Sequence, residues 1–222
     1  MKFPFKKQLL SWYYSLKSFG LRKKWKGNQR IFILSLQKTG TTSTGDFFVH
    51  FGYPVVRSDL AQLRHWNAYW YQGEFEKIFQ DTVFKNHQVF EDAPFWATDF
   101  YQILYKKFPD AKFVLLTRNS QKWFDSLAKH GNGKAPGNAQ FHARIYGIPE
   151  AVEKDFNIYD HQTHYLEFYE KRNQEIIHYF DSKQAEFIHI QLEDPLKWQK
   201  LATFAGLELN EEIRLHSNPT EP

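Results

Sequence analysis

Residues 30–43 read RIFILSLQKTGTTS, and this stretch decides the fold. Residues 30–36 form a β-branched and aliphatic run with the length and composition of a buried strand. A small polar loop, residues 37–42, then leads into a helix expected to reach about Phe51. In such a turn the backbone N–H groups that open the helix lack an intrahelical partner and point outward, and the helix dipole adds partial positive charge. An end of this kind is an anion site. Gly40 permits close backbone approach, Thr39, Thr41 and Thr42 bring hydroxyls, and Lys38 brings a point charge. A phosphate or sulfate is the expected ligand.

The loop is not the one that wraps nucleoside triphosphates. G-x-x-x-x-G-K-[ST] needs an upstream glycine and a lysine after the last one. Here Lys38 precedes Gly40, and no glycine lies between Arg30 and Lys38. Residues 111–117 (AKFVLLT) are the clearest strand in the chain, and they end in Arg118 rather than a magnesium-binding aspartate. Ligands of open α/β sheets bind at the carboxyl ends of strands. Arg118 and the Lys38 loop are therefore expected to face one crevice, as two anion sites suited to a ligand with phosphates at both ends. Ser126 follows eight residues later, inside the next helix.

Outward from these two segments, strand and helix alternate. Further strands are expected at residues 53–56, 87–91 and 185–192. Helices are expected over 59–83 (one or two, interrupted at Gly73), 98–108, 120–129, 160–180 with Asp160 as N-cap, and 195–204. Residues 130–138 (HGNGKAPGN) lack periodicity and read as a mobile loop. The pattern predicts an α/β fold: one domain with a central parallel β-sheet of about five strands and helices on both faces.

Composition supports a single packed domain. The chain has 222 residues, 18% of them aromatic, which argues against disorder. It contains no cysteine, so disulfides, thiolate chemistry and cysteine-based zinc sites are excluded. The net charge of +4 is unevenly spread. Residues 1–30 hold nine Lys and Arg and no acid, and the remainder holds 20 basic against 25 acidic residues. Residues 1–29 therefore read as a basic amphipathic arm, with Leu9, Leu10, Trp12, Tyr13, Leu16 and Phe19 among lysines, and residues 30–222 as the α/β domain. The arm either packs on the domain with solvated lysines or lies on an anionic membrane surface. Nothing in the sequence reads as a signal peptide or a spanning helix.

With the motifs in view, the chain resembles the sulfotransferases that use 3′-phosphoadenylyl sulfate (PAPS). Residues 37–43 (QKTGTTS) resemble their 5′-phosphosulfate loop, and residues 112–126 (KFVLLTRNSQKWFDS) their 3′-phosphate segment with its arginine–serine spacing. Residues 91–96 (EDAPFW) are similar to an acidic element found between those motifs in one branch, and 192–207 to the segment after the last strand. The resemblance implies a P-loop-like sulfotransferase fold and in-line transfer of a sulfuryl group to a hydroxyl or amine. Adenosine 3′,5′-bisphosphate would be the product, and no metal would be needed. It implies that Gln37, Lys38, Thr39, Gly40, Thr41, Thr42 and Ser43 hold the 5′ end, Lys38 acting in catalysis, and that Arg118 and Ser126 grip the 3′-phosphate. The R-K-G-x-x-G motif that closes over the nucleotide in cytosolic members is absent, leaving residues 214–218 or 130–138 to close the site.

A general base must take the acceptor proton. Asp92 is the first choice, at the end of the strand over 87–91, with Glu91 and His65 in reserve. Trp66, Tyr69, Trp70 and Tyr71 either line an acceptor pocket or belong to the core, and Trp123 is read as packing its helix on the sheet. The expected partner is a small-molecule, lipid or glycan acceptor and not nucleic acid, because the body of the chain is acidic. The expected location is cytoplasmic, with peripheral contact to the inner membrane surface through residues 1–30. The competing readings are a nucleotide-dependent kinase of similar architecture and a non-catalytic membrane-surface module.

Overall fold

The computed structural model describes residues 4–209, so the proposed closing segment at 214–218 lies outside the described residues. Five strands form the sheet: β1 (Ile31–Ile33), β2 (Val55–Val56), β3 (Val89–Phe90), β4 (Lys112–Thr117) and β5 (Glu186–Gln191). Their order is β2-β3-β1-β4-β5, and every neighbouring pair is parallel. Helices cover both faces, as alternation of strand and helix requires. They are α1 (Pro4–Ser18), α2 (Thr41–His50), α3 (Ser58–Leu63), α4 (Trp66–Tyr71), α5 (Phe75–Gln80), α6 (Thr82–Asn86), α7 (Phe100–Lys107), α8 (Ser120–His130), α9 (Ala139–Tyr146), α10 (Gln162–Asp181) and α11 (Lys197–Ala205).

Period-two alternation splits β1 between two cores. Ile31 and Ile33 join Val89, Val114 and Leu116 beneath Phe47 and Phe48 of α2 and Leu201 of α11. Phe32 points the other way, into a ring cluster whose centroids lie 5.2 Å (Phe90), 5.7 Å (Phe113), 5.8 Å (Phe108) and 5.9 Å (Phe95) from its own. The β1 ladder outlasts the strand by two residues. Leu34 donates its N–H to Val114 O at 2.8 Å, and the buried Ser35 hydroxyl accepts from Leu116 N at 2.6 Å. A side chain thus replaces a backbone partner where β1 peels away toward its loop.

Several helices differ from the sequence reading. Residues 59–83 are broken at His65 as well as Gly73, and at Asp81, whose carboxylate caps α6 by accepting from Val83 N at 2.8 Å. Helix α9 was not anticipated behind the Gly/Pro-rich stretch, although Asn138 caps it by accepting from Phe141 N at 2.9 Å. Asp160 belongs to a 3₁₀ turn, Ile158–His161, and α10 starts after it. The arm is tied to the body through Trp25 Nε1, which donates to Asn86 O at 2.9 Å, and through Gln88, which bonds Lys26 and Gln29.

The central position of Phe32 yields a prediction. Phe32→Ala is expected to lower unfolding free energy by ~3–5 kcal/mol in chemical denaturation. A loss under about 1 kcal/mol would show that the ring cluster does not organise this core.

Candidate active site

Because β1 and β4 are neighbours, the loop after one and the arginine after the other leave the same sheet edge. Arg118 Nη1 donates to the Lys38 carbonyl at 3.3 Å, and the Arg118 backbone N–H donates to Tyr169 Oη at 2.9 Å. Trp123 is fully buried, and its indole N–H donates to Gln37 O at 3.0 Å while its ring stacks on Tyr169 at 4.3 Å. One aromatic pair, from α8 and α10, therefore clamps both loops. Burial, and then repulsion from Arg118, holds the Lys38 ammonium below its usual pKa. An anion beside both cations would relieve that repulsion.

The loop itself is tightly specified. Gly40 has φ +83°, and a Cβ there would come within 2.6 Å of Leu192 Cδ1, at the exit of β5. The first backbone bond of α2 runs from Thr44 N to Gly40 O at 3.0 Å, so the amides of Thr41 and Thr42 lie ahead of it. Thr39 is completely buried and its hydroxyl donates to Leu36 O, which makes it part of the turn. Ser43 and Ser126 are buried, and Ser126 lies on α8 one helical turn before His130. Beneath the loop, the buried Arg172 of α10 donates through Nη2 to Leu34 O at 2.8 Å and to Trp96 O at 2.5 Å. No carboxylate among the described residues forms an ion pair with it, and burial lowers its pKa to about 10. It is a fixed positive charge joining the ends of β1 and β3.

Beside the loop lies a cavity of about 850 Å³, whose walls include Gln37, His65, Asp92, Trp96, His130 and His142. Asp92 is fixed there by its Oδ1, which accepts from Ala93 N at 2.7 Å and Trp96 Nε1 at 2.8 Å. His130, missed in the sequence, is held below its usual pKa by burial and then by Lys38, with Asp92 opposing. It is thus neutral at neutral pH and electrostatically coupled to both groups. Its position four residues after Ser126, on one helix face, was the available signal. His142 bonds Tyr165 Oη at 2.5 Å, and burial keeps it neutral with a pKa of about 4. Of the four aromatic candidates only Tyr71 lines the cavity, since Trp66 and Trp70 are core and Tyr69 packs against it. Among the described residues, the non-glycine residues with positive φ are Lys38, His65, Asp92 and Asn132. Three of them are among the four residues chosen from sequence for catalysis, and strain of this kind concentrates at functional sites.

Glu91 is the exception among the sequence candidates. It does not line the cavity. Glu91 turns toward α2, where a Cβ on Gly45 would meet its Oε2 at 2.4 Å. Burial pushes its pKa up to about 8, against the pull of Arg57 at 3.6 Å. The expectation that Glu91 serves as a reserve base does not fit this placement.

A family model described as a sulfotransferase domain matches residues 30–218. Among solved structures, a sulfotransferase from Alicyclobacillus acidocaldarius is similar in fold, with a TM-score of 0.54 at 17% sequence identity. The match covers 89% of this chain and 88% of that one. No curated protein sequence gives a significant match.

The placement of Glu91 gives a pH prediction. Its folded pKa of about 8 lies above the ordinary 4.5, so the native chain holds a proton that the unfolded chain has lost. The associated stability is complete below the ordinary value and disappears as pH rises through the folded one. Glu91→Gln cannot ionise. Its melting temperature relative to the parent should climb by several degrees between pH of about 5 and about 8. A pH-independent difference would refute a buried, protonated Glu91.

Proposed function

The chain belongs to the sulfotransferase-domain family, and from that premise we propose that it transfers a sulfuryl group from PAPS to a hydroxyl of a neutral, polyhydroxylated acceptor. The observation that carries this reading is the meeting of Lys38 and Arg118 at one sheet edge, the guanidinium resting on the Lys38 carbonyl. The residues fit such a donor. Arg118 Nε is buried with no hydrogen-bond partner, its closest acid being Glu193 at 3.6 Å. A 3′-phosphate would supply the missing acceptor.

When bound, the donor provides the sulfuryl group and a bisphosphate leaving group. The amides of Thr41 and Thr42 hold the 5′ end at the start of α2. Lys38 neutralises charge on the oxygen from which the sulfuryl group departs, a contribution worth ~10²–10³ in rate. Arg118, with Ser126, distinguishes a 3′-phosphate from a bare ribose. Arg172 stays in place as a buried cation beneath the loop. Asp92, oriented by Trp96 and its own neighbouring amide, takes the acceptor proton as the new sulfur–oxygen bond forms. His130, neutral beside it, is the second group on that wall able to accept a proton.

The acceptor class is suggested by the cavity lining. Amides are the most numerous polar groups there, with Gln37, Gln62, Asn67, Gln72, Asn138 and Gln140 on the walls. Each offers both a donor and an acceptor, the pairing that vicinal hydroxyls require. Tyr71, Trp96 and Phe141 supply apolar faces. No lysine or arginine lines the cavity among the described residues, which disfavours an anionic acceptor. A saccharide or glycoside matches this chemistry better than a phenol or steroid.

The test is transfer of labelled sulfate from PAPS to a panel of neutral glycosides and phenols. Lys38→Ala should reduce kcat by ~10²–10³. Asp92→Asn should reduce kcat by ~10²–10⁴ while bisphosphate binding is retained. Full activity in Asp92→Asn, with loss in His130→Gln, would move the base to His130. Phenol sulfation without glycoside sulfation would overturn the acceptor assignment.

A further inference from the structure

The N-terminal helix is packed with its polar side inward. Ser11, Ser15 and Ser18 share one face of α1, and Ser18 is only 1% exposed. Arg64 anchors that face. Its Nη1 donates to Ser15 Oγ at 3.0 Å and also to the Ser11 hydroxyl, while its Nε pairs with Asp81 at 2.7 Å. The opposite face carries Leu9, Trp12, Tyr13, Leu16 and Phe19, and all five are exposed, Trp12 at 66% and Phe19 at 68%. Folding normally places these faces the other way round. A contiguous apolar face turned outward marks an interaction surface.

The charge around that face identifies what covers it. Residues 1–30 contain nine Lys and Arg and no acid, and Lys7, Lys17, Lys23 and Lys24 are exposed. A second copy docked arm to arm would bring like charge against like charge. An anionic bilayer offers an apolar interior for the rings and phosphate headgroups for the lysines. Trp and Tyr beside Lys are the side chains that settle at that boundary. We propose that α1 docks the protein on anionic phospholipid membranes through its outward apolar face. No helix among the described residues is long and apolar enough to cross a membrane, so the contact is peripheral. The α3–α4 region that holds α1 through Arg64 also carries Gln62 and His65 of the cavity wall. One segment therefore both anchors the arm and lines the acceptor cavity, which suits an acceptor presented by the membrane.

The experiment is co-sedimentation of the full chain with vesicles of phosphatidylcholine alone and of phosphatidylcholine with added phosphatidylserine. Binding is expected only with phosphatidylserine and should weaken as salt rises. Neutralising three lysines (Lys17→Gln, Lys23→Gln, Lys24→Gln) should weaken it on the order of a hundredfold. The double variant Trp12→Ser, Phe19→Ser should abolish it, with the melting temperature of the body unchanged. Equal binding to both vesicles, or unimpaired binding by the double variant, would overturn the proposal. So would a wild-type dimer in light scattering that the double variant converts to monomer, which would mean a second copy covers the face. None of these outcomes depends on sulfuryl transfer.

Discussion

Two cations stand together at the carboxyl edge of the sheet, and the surrounding structure keeps them there. Lys38 and Arg118 repel each other, and Lys38 is partly desolvated as well. Left to themselves, their long side chains would separate into water. The parallel pairing of β1 with β4 brings their backbones to one edge. The Trp123–Tyr169 stack then fixes both loops, through Gln37 O on one side and Arg118 N on the other. Arg172 adds a third positive charge beneath them. Folding free energy is spent on concentrating positive charge in one place, the feature on which the proposed binding of an anionic donor rests.

This constraint explains the local strain. Lys38 and Asp92 both hold left-handed backbone conformations, each unfavourable by ~1–3 kcal/mol. Lys38 lies in the loop after β1 and Asp92 just past β3, adjacent strands in the sheet. Asp92 lines the cavity, with Trp96 holding one of its carboxylate oxygens.

The sheet and the strand–loop–helix turn at residues 31–50 were legible in the sequence because both are local. A buried strand announces itself by its run of apolar residues, and the loop by residue types within six positions. Arg118 was legible because a strong strand points directly to its own end. Glu91 and Asp92 were both offered as bases, but they part company just past β3, where Asp92 turns left-handed. Neither the break at His65 nor helix α9 is marked by a local sequence pattern. Short helices carry little periodicity, and their ends are set by packing and single caps such as Asp81 and Asn138. Arg172 could not have been found: in residues 169–175 (YEKRNQE) it looks like one more solvent-facing charge, and only the tertiary fold slides it beneath Leu34 and Trp96. The arm was left open between two orientations, and only coordinates could show that its serines face inward.

The central claim concerns two ends of one nucleotide, and a binding cycle by calorimetry tests it most directly. Adenosine 3′,5′-bisphosphate and adenosine 5′-monophosphate would each be titrated into the wild-type chain, Arg118→Ala and Lys38→Ala. The wild type should prefer the bisphosphate by roughly ten- to a hundredfold, the worth of a charge-assisted hydrogen bond. Arg118→Ala should lose most of that preference, and Lys38→Ala should weaken both nucleotides alike. Equal affinity of the wild type for the two nucleotides, or a preference that survives in Arg118→Ala, would contradict the claim.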